Sequence, residues 1–228
     1  MRAPLSVVIP TLNAGSVLPA CLGALYEGVS AGVLRELIVV DGGSDDDTLE
    51  IADEAGANIL RCSPSRGGQL RAGAEAAQGD WLLFVHADTL LEDGWIAAAQ
   101  ELFRDKAKAG YYLLAFDRGG KAGRVVAAWA NLRSALFGLP YGDQGLLISR
   151  RLYNEIGGFD DVPLMEDVAL ARKLGRRRLT ALNARAITSS EKYRSQGWLR
   201  RGRRNLWTLV CYFSGASPQR LAQIYNRT

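Results

Sequence analysis

The chain has few cysteines and no long apolar run. Its three cysteines, Cys21, Cys62 and Cys211, lie far apart and form no Cys-x-x-Cys pair. An odd, unpaired set predicts neither a disulfide framework nor a zinc knuckle. No apolar stretch approaches the roughly 20 residues of a membrane-spanning helix, and no signal-peptide pattern precedes the first predicted strand. These absences predict a cytoplasmic protein, and 228 residues without repeats or a long linker predict a single domain.

Acidic residues are also missing from much of the C-terminal third, where basic residues concentrate. Asp and Glu crowd residues 36–54, whereas Arg and Lys crowd residues 172–178 and 194–204. A basic region of this kind suits an anionic partner such as a phosphate, a nucleic acid or a lipid surface. A solvated helix face is the alternative explanation.

Three apolar runs are present, and each ends abruptly in polar residues. They span Leu5–Ile9, Leu37–Val40 and Trp81–Val85. Segments with helical periodicity lie between these runs, roughly at 17–26, 46–55 and 69–77. The alternation predicts parallel βαβ units, and the run before His86 is typical of a strand buried on both faces.

The polar residues after these runs predict a single crevice, because ligands of open α/β sheets bind beyond the carboxyl ends of the strands. The residues concerned are Pro10, Thr11 and Asn13 after the first run, Asp41 and Gly43 after the second, and His86 and Asp88 after the third. His86 and Asp88 are two residues apart, so both side chains can point into the crevice. Ser44 and Asp47 resemble a capping box, which predicts a helix start just after Asp41.

A second polar cluster lies further along the chain. Glu166 and Asp167 follow a Gly-Gly-Phe-Asp turn and open a segment with helical periodicity, at the positive end of the predicted helix. Tyr141, Asp143 and Gln144 precede a short apolar run that predicts another strand. Both clusters are therefore candidates for chemistry, with helix capping and turn formation as their structural alternatives.

Taken in order, these motifs resemble the family 2 glycosyltransferases over about residues 4–175. The matching segments are Ser6–Asn13, Glu36–Thr48, Gly79–Asp88, Gly157–Asp160 and the pair Glu166-Asp167. Within the family, the chain is similar to a short bacterial subgroup in which His-Ala-Asp replaces the usual Asp-x-Asp. The resemblance implies an α/β GT-A fold: a mostly parallel central sheet with flanking helices and a helical C-terminal tail. It implies a nucleotide-binding half at 1–90, an acceptor and catalytic half at 91–190, and a tail at 191–228.

The resemblance also implies an activity. It implies inverting transfer of a sugar from a nucleotide-diphosphate sugar, with a UDP-sugar favoured, to an unidentified acceptor hydroxyl. A divalent cation, Mn²⁺ or Mg²⁺, would assist, and no nucleic acid is expected as a partner. Asp41 would accept a hydrogen bond from the nucleotide base. The same pocket would be lined by Pro10, Thr11, Asn13 and Gly43. Arg66 and the glycines after it would precede a helix and bring a positive charge and free N–H groups to the donor.

The metal and catalytic roles follow from the same resemblance. Asp88 matches the family's metal-binding aspartate, and His86 replaces the first aspartate of that motif. His86 is therefore expected to ligate the metal, to hydrogen-bond a ribose or phosphate oxygen, or to orient Asp88. Asp167 matches the general base and Glu166 supports it or contacts the acceptor. Repulsion between the two carboxylates is expected to raise the pKa of one of them. The acceptor or the donor sugar would contact Tyr141, Asp143 and Gln144.

The tail at 198–213 predicts a basic amphipathic helix, followed by a short helix from Pro218. Four alternatives remain open for it: contact with the inner face of a membrane carrying a lipid-linked acceptor, closure over the diphosphate through Arg203 or Arg204, packing on the core, and a homodimer contact.

Two rival functions are compatible with the same fold. A non-catalytic nucleotide-sugar-binding module is suggested by His86 and by the missing downstream His. A sugar nucleotidyltransferase is the other rival, but it needs a glycine-rich phosphate loop after the first strand, which this chain lacks.

Overall fold

The computed structural model describes residues 3–226 and is an α/β fold. Its strands are β1 (Leu5–Thr11), β2 (Leu34–Asp41), β3 (Asn58–Arg61), β4 (Trp81–Phe84), β5 (Thr89–Leu91), β6 (Ala109–Phe116), β7 (Leu146–Ser149) and β8 (Leu179–Thr188). Its α-helices are α1 (Leu18–Ser30), α2 (Thr48–Glu54), α3 (Arg66–Ala76), α4 (Trp95–Leu102), α5 (Gly120–Phe137), α6 (Arg150–Glu155), α7 (Glu166–Leu174), α8 (Glu191–Gln196), α9 (Trp198–Phe213) and α10 (Pro218–Asn226). Short 3-10 turns occur at Gly142–Gln144 and Arg176–Arg178.

The strands form one sheet in the order β3-β2-β1-β4-β7-β6-β8-β5. β1 pairs in parallel with β2 and β4, and β3 extends this parallel group. β7 is antiparallel to both neighbours, while β8 is parallel to β6. β5 is antiparallel to β8. Within the described residues, only β5 and β7 oppose the common direction, so the prediction of a mostly parallel sheet is confirmed.

The first strands are buried on both faces, because apolar side chains alternate between two cores. On β4, Trp81 and Leu83 belong to the core that contains α1, whereas Leu82 and Phe84 belong to the core that contains α3. The alternation follows from the two-residue period of a strand. A strand covered on both faces carries an uninterrupted apolar run, and the prediction for this run is confirmed.

The predicted capping box is wrong. α2 begins at Thr48, and the side chain of its N-cap residue, Asp47, makes no capping hydrogen bond. The hydroxyl of Ser44 donates instead to the carboxylate of Asp41. Asp41 nevertheless lies at the predicted position, the last residue of β2 before the turn to α2.

Of the strands after β4, sequence reasoning predicted only β7. It missed β5, which has three residues, and also β6 and β8, which have eight and ten. The tail was predicted better. α9 spans 198–213 as expected, and α10 begins at Pro218. Across residues 3–226, no helix combines the length and the apolar character that crossing a bilayer would require.

Candidate active site

A cleft of about 530 Å³ lies beyond the carboxyl ends of β1 and β4. The residues that line it and were predicted from sequence are Pro10, Thr11, Asn13, Arg66, His86, Asp88, Tyr141, Asp143, Glu166 and Asp167. The fold thereby brings together the ends of β1 and β4, the start of α3, the loop before β7 and the start of α7. Their convergence follows from the parallel sheet, whose strand ends all open on one crevice.

His86 and Asp88 follow β4 and are both half-buried in this cleft. Burial and the positive charge of Arg66 lower the pKa of His86 to about 3, against the opposing charge of Asp88. The imidazole is therefore neutral at physiological pH and keeps a lone pair for a metal or a hydrogen bond. Gly142 packs directly on the ring: a Cβ atom at position 142 would lie 2.5 Å from Nε2 of His86.

Asp167 is held in place at the start of α7. Its Oδ2 atom accepts a hydrogen bond from the Gly142 N–H at 2.8 Å, and its Oδ1 atom accepts one from the Val168 N–H at 2.7 Å. Met165, just before the helix, adopts a positive φ of 66°. A left-handed residue reverses the chain abruptly, and here it turns the first residues of α7 toward the cleft.

Glu166 is the buried member of the pair. Its Oε1 atom lies 3.8 Å from Nε of Arg66, and its Oε2 atom has no hydrogen-bond partner among the described residues. A small cavity of about 30 Å³, lined mostly by apolar side chains, adjoins it. Burial and the charge of Asp167 raise the pKa of Glu166 to about 8, against the effect of Arg66. Glu166 therefore carries a proton at neutral pH.

We expect Glu166→Gln to flatten the fall in stability of the chain between about pH 4.5 and pH 8. The unfolded carboxyl loses its proton near pH 4.5 and the folded one near pH 8, so folding binds a proton in this window and stability declines as pH rises. Glutamine, which mimics the protonated acid, removes this term. Thermal unfolding from pH 5 to pH 8.5 measures it; equal slopes for both proteins would contradict the raised pKa, and Glu54→Gln, at an exposed site, is the control.

Asp143 and Gln144 are adjacent but face different ways. Burial and the charges of Asp167 and Asp88 raise the pKa of Asp143 to about 6, against Arg133. Gln144 is fully buried. Its Nε2 atom donates to the Tyr112 carbonyl at 3.1 Å, and its Oε1 atom accepts from Ser134 at 2.6 Å. Asp143 thus lines the cleft, whereas Gln144 anchors the loop from behind and does not reach it.

Asp41 and Gly43 also lie outside the cleft lining. Only 1% of Asp41 is exposed, and its carboxylate accepts hydrogen bonds from Thr11 Oγ1, Ser44 Oγ and the N–H groups of Gly43 and Ser44. Burial alone would raise its pKa, but these bonds outweigh it and hold the pKa below the usual range. A hydrogen bond from a nucleotide base would have to displace one of these four donors, since a carboxylate offers about four acceptor positions.

The start of α3 differs from the prediction. Arg66 and the two glycines after it open the helix instead of preceding it. The Gly67 N–H donates to the Val162 carbonyl at 3.1 Å, and the Gly68 N–H donates to Ser65 Oγ at 3.3 Å. The expectation of free N–H groups here is therefore wrong, because the protein itself uses both. The guanidinium of Arg66 does line the cleft.

The cations that reach the cleft from the tail are not those predicted. Arg203 is exposed, and Arg204 donates to Gln196 Oε1 at 2.7 Å, and neither lines the cleft. Lys192 and Arg201 line it instead. The basic run was visible in the sequence, but the helical phase that turns Arg201 inward depends on how α9 packs.

Gln69 is a further cleft residue that sequence reasoning missed. Its side-chain amide donates to the carbonyls of Thr11 and Val40, both at 2.8 Å. It therefore ties the end of β1 to the end of β2 under the pocket. An isolated glutamine in a helix gives no signal of such a role.

The residues present suit a divalent cation only in part. Among residues 3–226, no three His, Cys, Asp or Glu side chains form a group that could hold a metal ion. Asp88 supplies a carboxylate and His86 a neutral nitrogen, and both face the cleft. Mg²⁺ sites of this type commonly use one or two carboxylates and complete their shell with substrate phosphates and water. The donor set therefore fits a cation bound together with a diphosphate.

Comparison with known proteins identifies the family. The family model described as "Glycosyl transferase family 2" matches residues 6–159. A Mycobacterium bovis protein named "PGL/p-HBAD biosynthesis glycosyltransferase" is 40% identical over 99 residues, which cover 40% of this chain and 38% of that protein.

Solved structures share the fold. Glucosyl-3-phosphoglycerate synthase from Mycobacterium tuberculosis has a TM-score of 0.58 at 21% identity, covering 82% of this chain and 69% of the other. S. aureus TarS 1-349 has a TM-score of 0.61 at 16% identity, covering 97% and 69%. These resemblances confirm the fold predicted from the motifs, and the match over 6–159 shows that the chain belongs to glycosyl transferase family 2.

Proposed function

We propose that this chain is an inverting glycosyltransferase that moves a sugar from a nucleotide-diphosphate sugar to an acceptor hydroxyl. The observation that carries the proposal is the placement of Asp167 in one cleft with His86 and Asp88. A positioned carboxylate and a partial metal site are the two groups that the reaction needs. The bound forms of a structural relative give further support, because glucosyl-3-phosphoglycerate synthase was crystallised with Mn²⁺ and UDP-glucose.

The donor would occupy the half of the cleft formed by residues 1–90. Pro10, Thr11 and Asn13 form its wall, and Asp41 fixes the turn beneath them. When bound at Asp88 and His86, Mn²⁺ or Mg²⁺ would neutralise the diphosphate. Arg66, Lys192 and Arg201 add positive charge from the protein itself. We favour a UDP-sugar, as in the structural relative.

The acceptor would enter from the half formed by residues 91–190. Asp167 takes the proton of the acceptor hydroxyl as its oxygen bonds to the anomeric carbon. The bond from that carbon to the diphosphate breaks, and its electron pair leaves with the nucleoside diphosphate. Because attack and departure occur on opposite faces, the configuration inverts. Glu166, which carries a proton, fills the buried space beside Asp167 and Arg66 and supports them without adding a charge. Tyr141 and Asp143 line the part of the cleft in which the sugars would react.

We extend the proposal to a lipid-linked acceptor and to the cytoplasmic face of the membrane, with α9 in the tail at 191–228 as the contact. The basic composition of this tail supports the extension, because the cytoplasmic leaflet carries anionic lipids.

Calorimetric titration of UDP, GDP, TDP and CDP, each with and without Mn²⁺, tests the proposal on the wild-type chain. We expect one nucleotide, UDP, to bind with metal dependence, and its sugar conjugate to release nucleoside diphosphate only when Mn²⁺ is present. Binding without any release would favour a binding module. Absence of binding by all four nucleotides would overturn the proposal.

A further inference from the structure

The outward faces of α5 and α9 each carry a stripe of exposed apolar side chains. On α5 the stripe is Val125, Trp129, Leu132 and Leu136, and on α9 it is Leu199, Leu206, Val210 and Phe213. The spacings are those of one helix face. Exposed apolar residues are common singly, but two continuous stripes on neighbouring helices mark an interaction surface.

The two helices are in direct contact. A Cβ atom at Gly123 of α5 would lie 2.9 Å from the indole of Trp198 at the start of α9. The same indole packs edge-on against Phe116, with ring centroids 5.0 Å apart. α5 and α9 therefore pack on each other at Trp198, and we call their two apolar stripes together the α5–α9 surface.

The α5–α9 surface is basic and contains no acidic residue. The sequence has no Asp or Glu between Asp117 and Asp143, and none after Glu191. Exposed cations flank the stripes: Lys121 and Arg124 on α5, and Arg200 and Arg203 on α9. An anionic lipid surface complements this combination of apolar and positive groups. A second copy of the chain does not, because a two-fold contact would bring the same arginines together.

We propose that the α5–α9 surface docks the protein on an anionic lipid bilayer. The inner faces of the same helices form part of the site. Arg201 and Thr208 of α9 line the cleft, and Ser134 of α5 holds Gln144 beside Asp143. A bilayer on the outer face thus lies about 10 Å, one helix diameter, from the site. The proposed docking surface includes α5 as well as α9. It rests on the proposed function only in one respect, the lipid-linked acceptor.

Vesicle co-sedimentation of the full chain, without nucleotide, tests the proposal. Vesicles of phosphatidylcholine with phosphatidylglycerol are compared with phosphatidylcholine alone. We expect the wild type to bind the anionic vesicles, and the double variant Leu132→Glu with Leu206→Glu to lose about ten-fold or more in partitioning. The matched control is Tyr26→Glu with Val29→Glu on α1, which should bind like the wild type. The control residues are at least as exposed as the tested ones, at 67% and 52% against 48% and 49%.

The arginines give an independent measurement. Arg200→Ala with Arg203→Ala is expected to weaken binding to anionic vesicles by about five-fold per arginine and to reduce its salt dependence. Equal partitioning of the wild type and the apolar double variant would overturn the proposal, and so would equal binding to both vesicle types. A stable dimer in light scattering that Leu132→Glu with Leu206→Glu dissociates would also overturn it, by making the surface a dimer contact.

Vesicle binding and nucleotide binding are separate measurements. If the chain binds UDP with Mn²⁺ but does not bind vesicles, only the proposed docking surface is contradicted. If the chain binds vesicles through α5 and α9 but binds no nucleotide, only the proposed activity is contradicted.

Discussion

Asp167→Asn is expected to lower kcat by about 10²–10⁴-fold while leaving nucleotide affinity within about two-fold, the range that a lost general base produces. The side chains have the same shape, and the amide oxygen can still accept the hydrogen bond from the Gly142 N–H, while only the bond from the neighbouring Val168 N–H is lost to the amide NH₂ group. The amide cannot take the acceptor's proton, so the chemical step slows and the fold remains. Sugar-transfer kinetics with any accepted hydroxyl, together with calorimetric titration of the nucleotide, separate the two effects.

Two further variants sharpen this test. Asp53→Asn, on the exposed side of α2, is the matched control and should behave like the wild type. Asp143→Asn addresses the rival base, because Asp143 lines the same cleft and its pKa is raised to about 6. If Asp167→Asn retains near wild-type kcat and Asp143→Asn loses it, the assignment of the base to Asp167 is wrong and Asp143 takes that role.

Asp88→Ala is expected to remove the metal-dependent part of nucleotide binding. Loss of a carboxylate ligand should weaken binding of the metal–nucleotide complex by about 100-fold, equivalent to about 3 kcal/mol. Binding measured without Mn²⁺ should not weaken, because without the metal Asp88 only repels the phosphates. Calorimetric titration with and without Mn²⁺ gives both quantities from the same protein.

The same strand offers a matched control. Asp80 precedes β4 as Asp88 follows it, and Asp80 is exposed at the opposite end. Asp80→Ala should therefore leave nucleotide binding unchanged. His86→Gln distinguishes a ligand from a neighbour: a loss confined to measurements with Mn²⁺ assigns His86 to the metal. Metal-dependent binding that survives in Asp88→Ala would place the cation elsewhere in the cleft.

The sequence by itself determined the framework of the fold. The apolar runs at β1, β2 and β4 specify strands buried on both faces, because Ser6 is the one polar residue within them and each run ends in polar residues. Those endings place His86 and Asp88 beyond β4. The helical periodicity that begins at Glu166-Asp167 places this pair at the start of α7. The sequence also predicted α9, since its apolar and basic residues recur at helical spacing. Local pattern sufficed in these cases because each feature depends on neighbours in the chain.

Only the tertiary structure decided which side chains reach the cleft. Gln144 turns inward because Tyr112 and Ser134 offer it buried partners, whereas Asp143 beside it faces the cleft. Arg201 enters the cleft in place of Arg203 or Arg204 because packing sets the rotation of α9 about its axis. These choices depend on residues distant in the chain.

The protonation of the Glu166-Asp167 pair likewise depends partly on the sequence and partly on the tertiary structure. The sequence predicts repulsion between Glu166 and Asp167 but not which of them keeps its proton. Burial decides this, since Glu166 is enclosed against α3 and the apolar cavity, and this enclosure raises its pKa. Desolvation depends on everything packed around a group, and a linear pattern does not specify that environment.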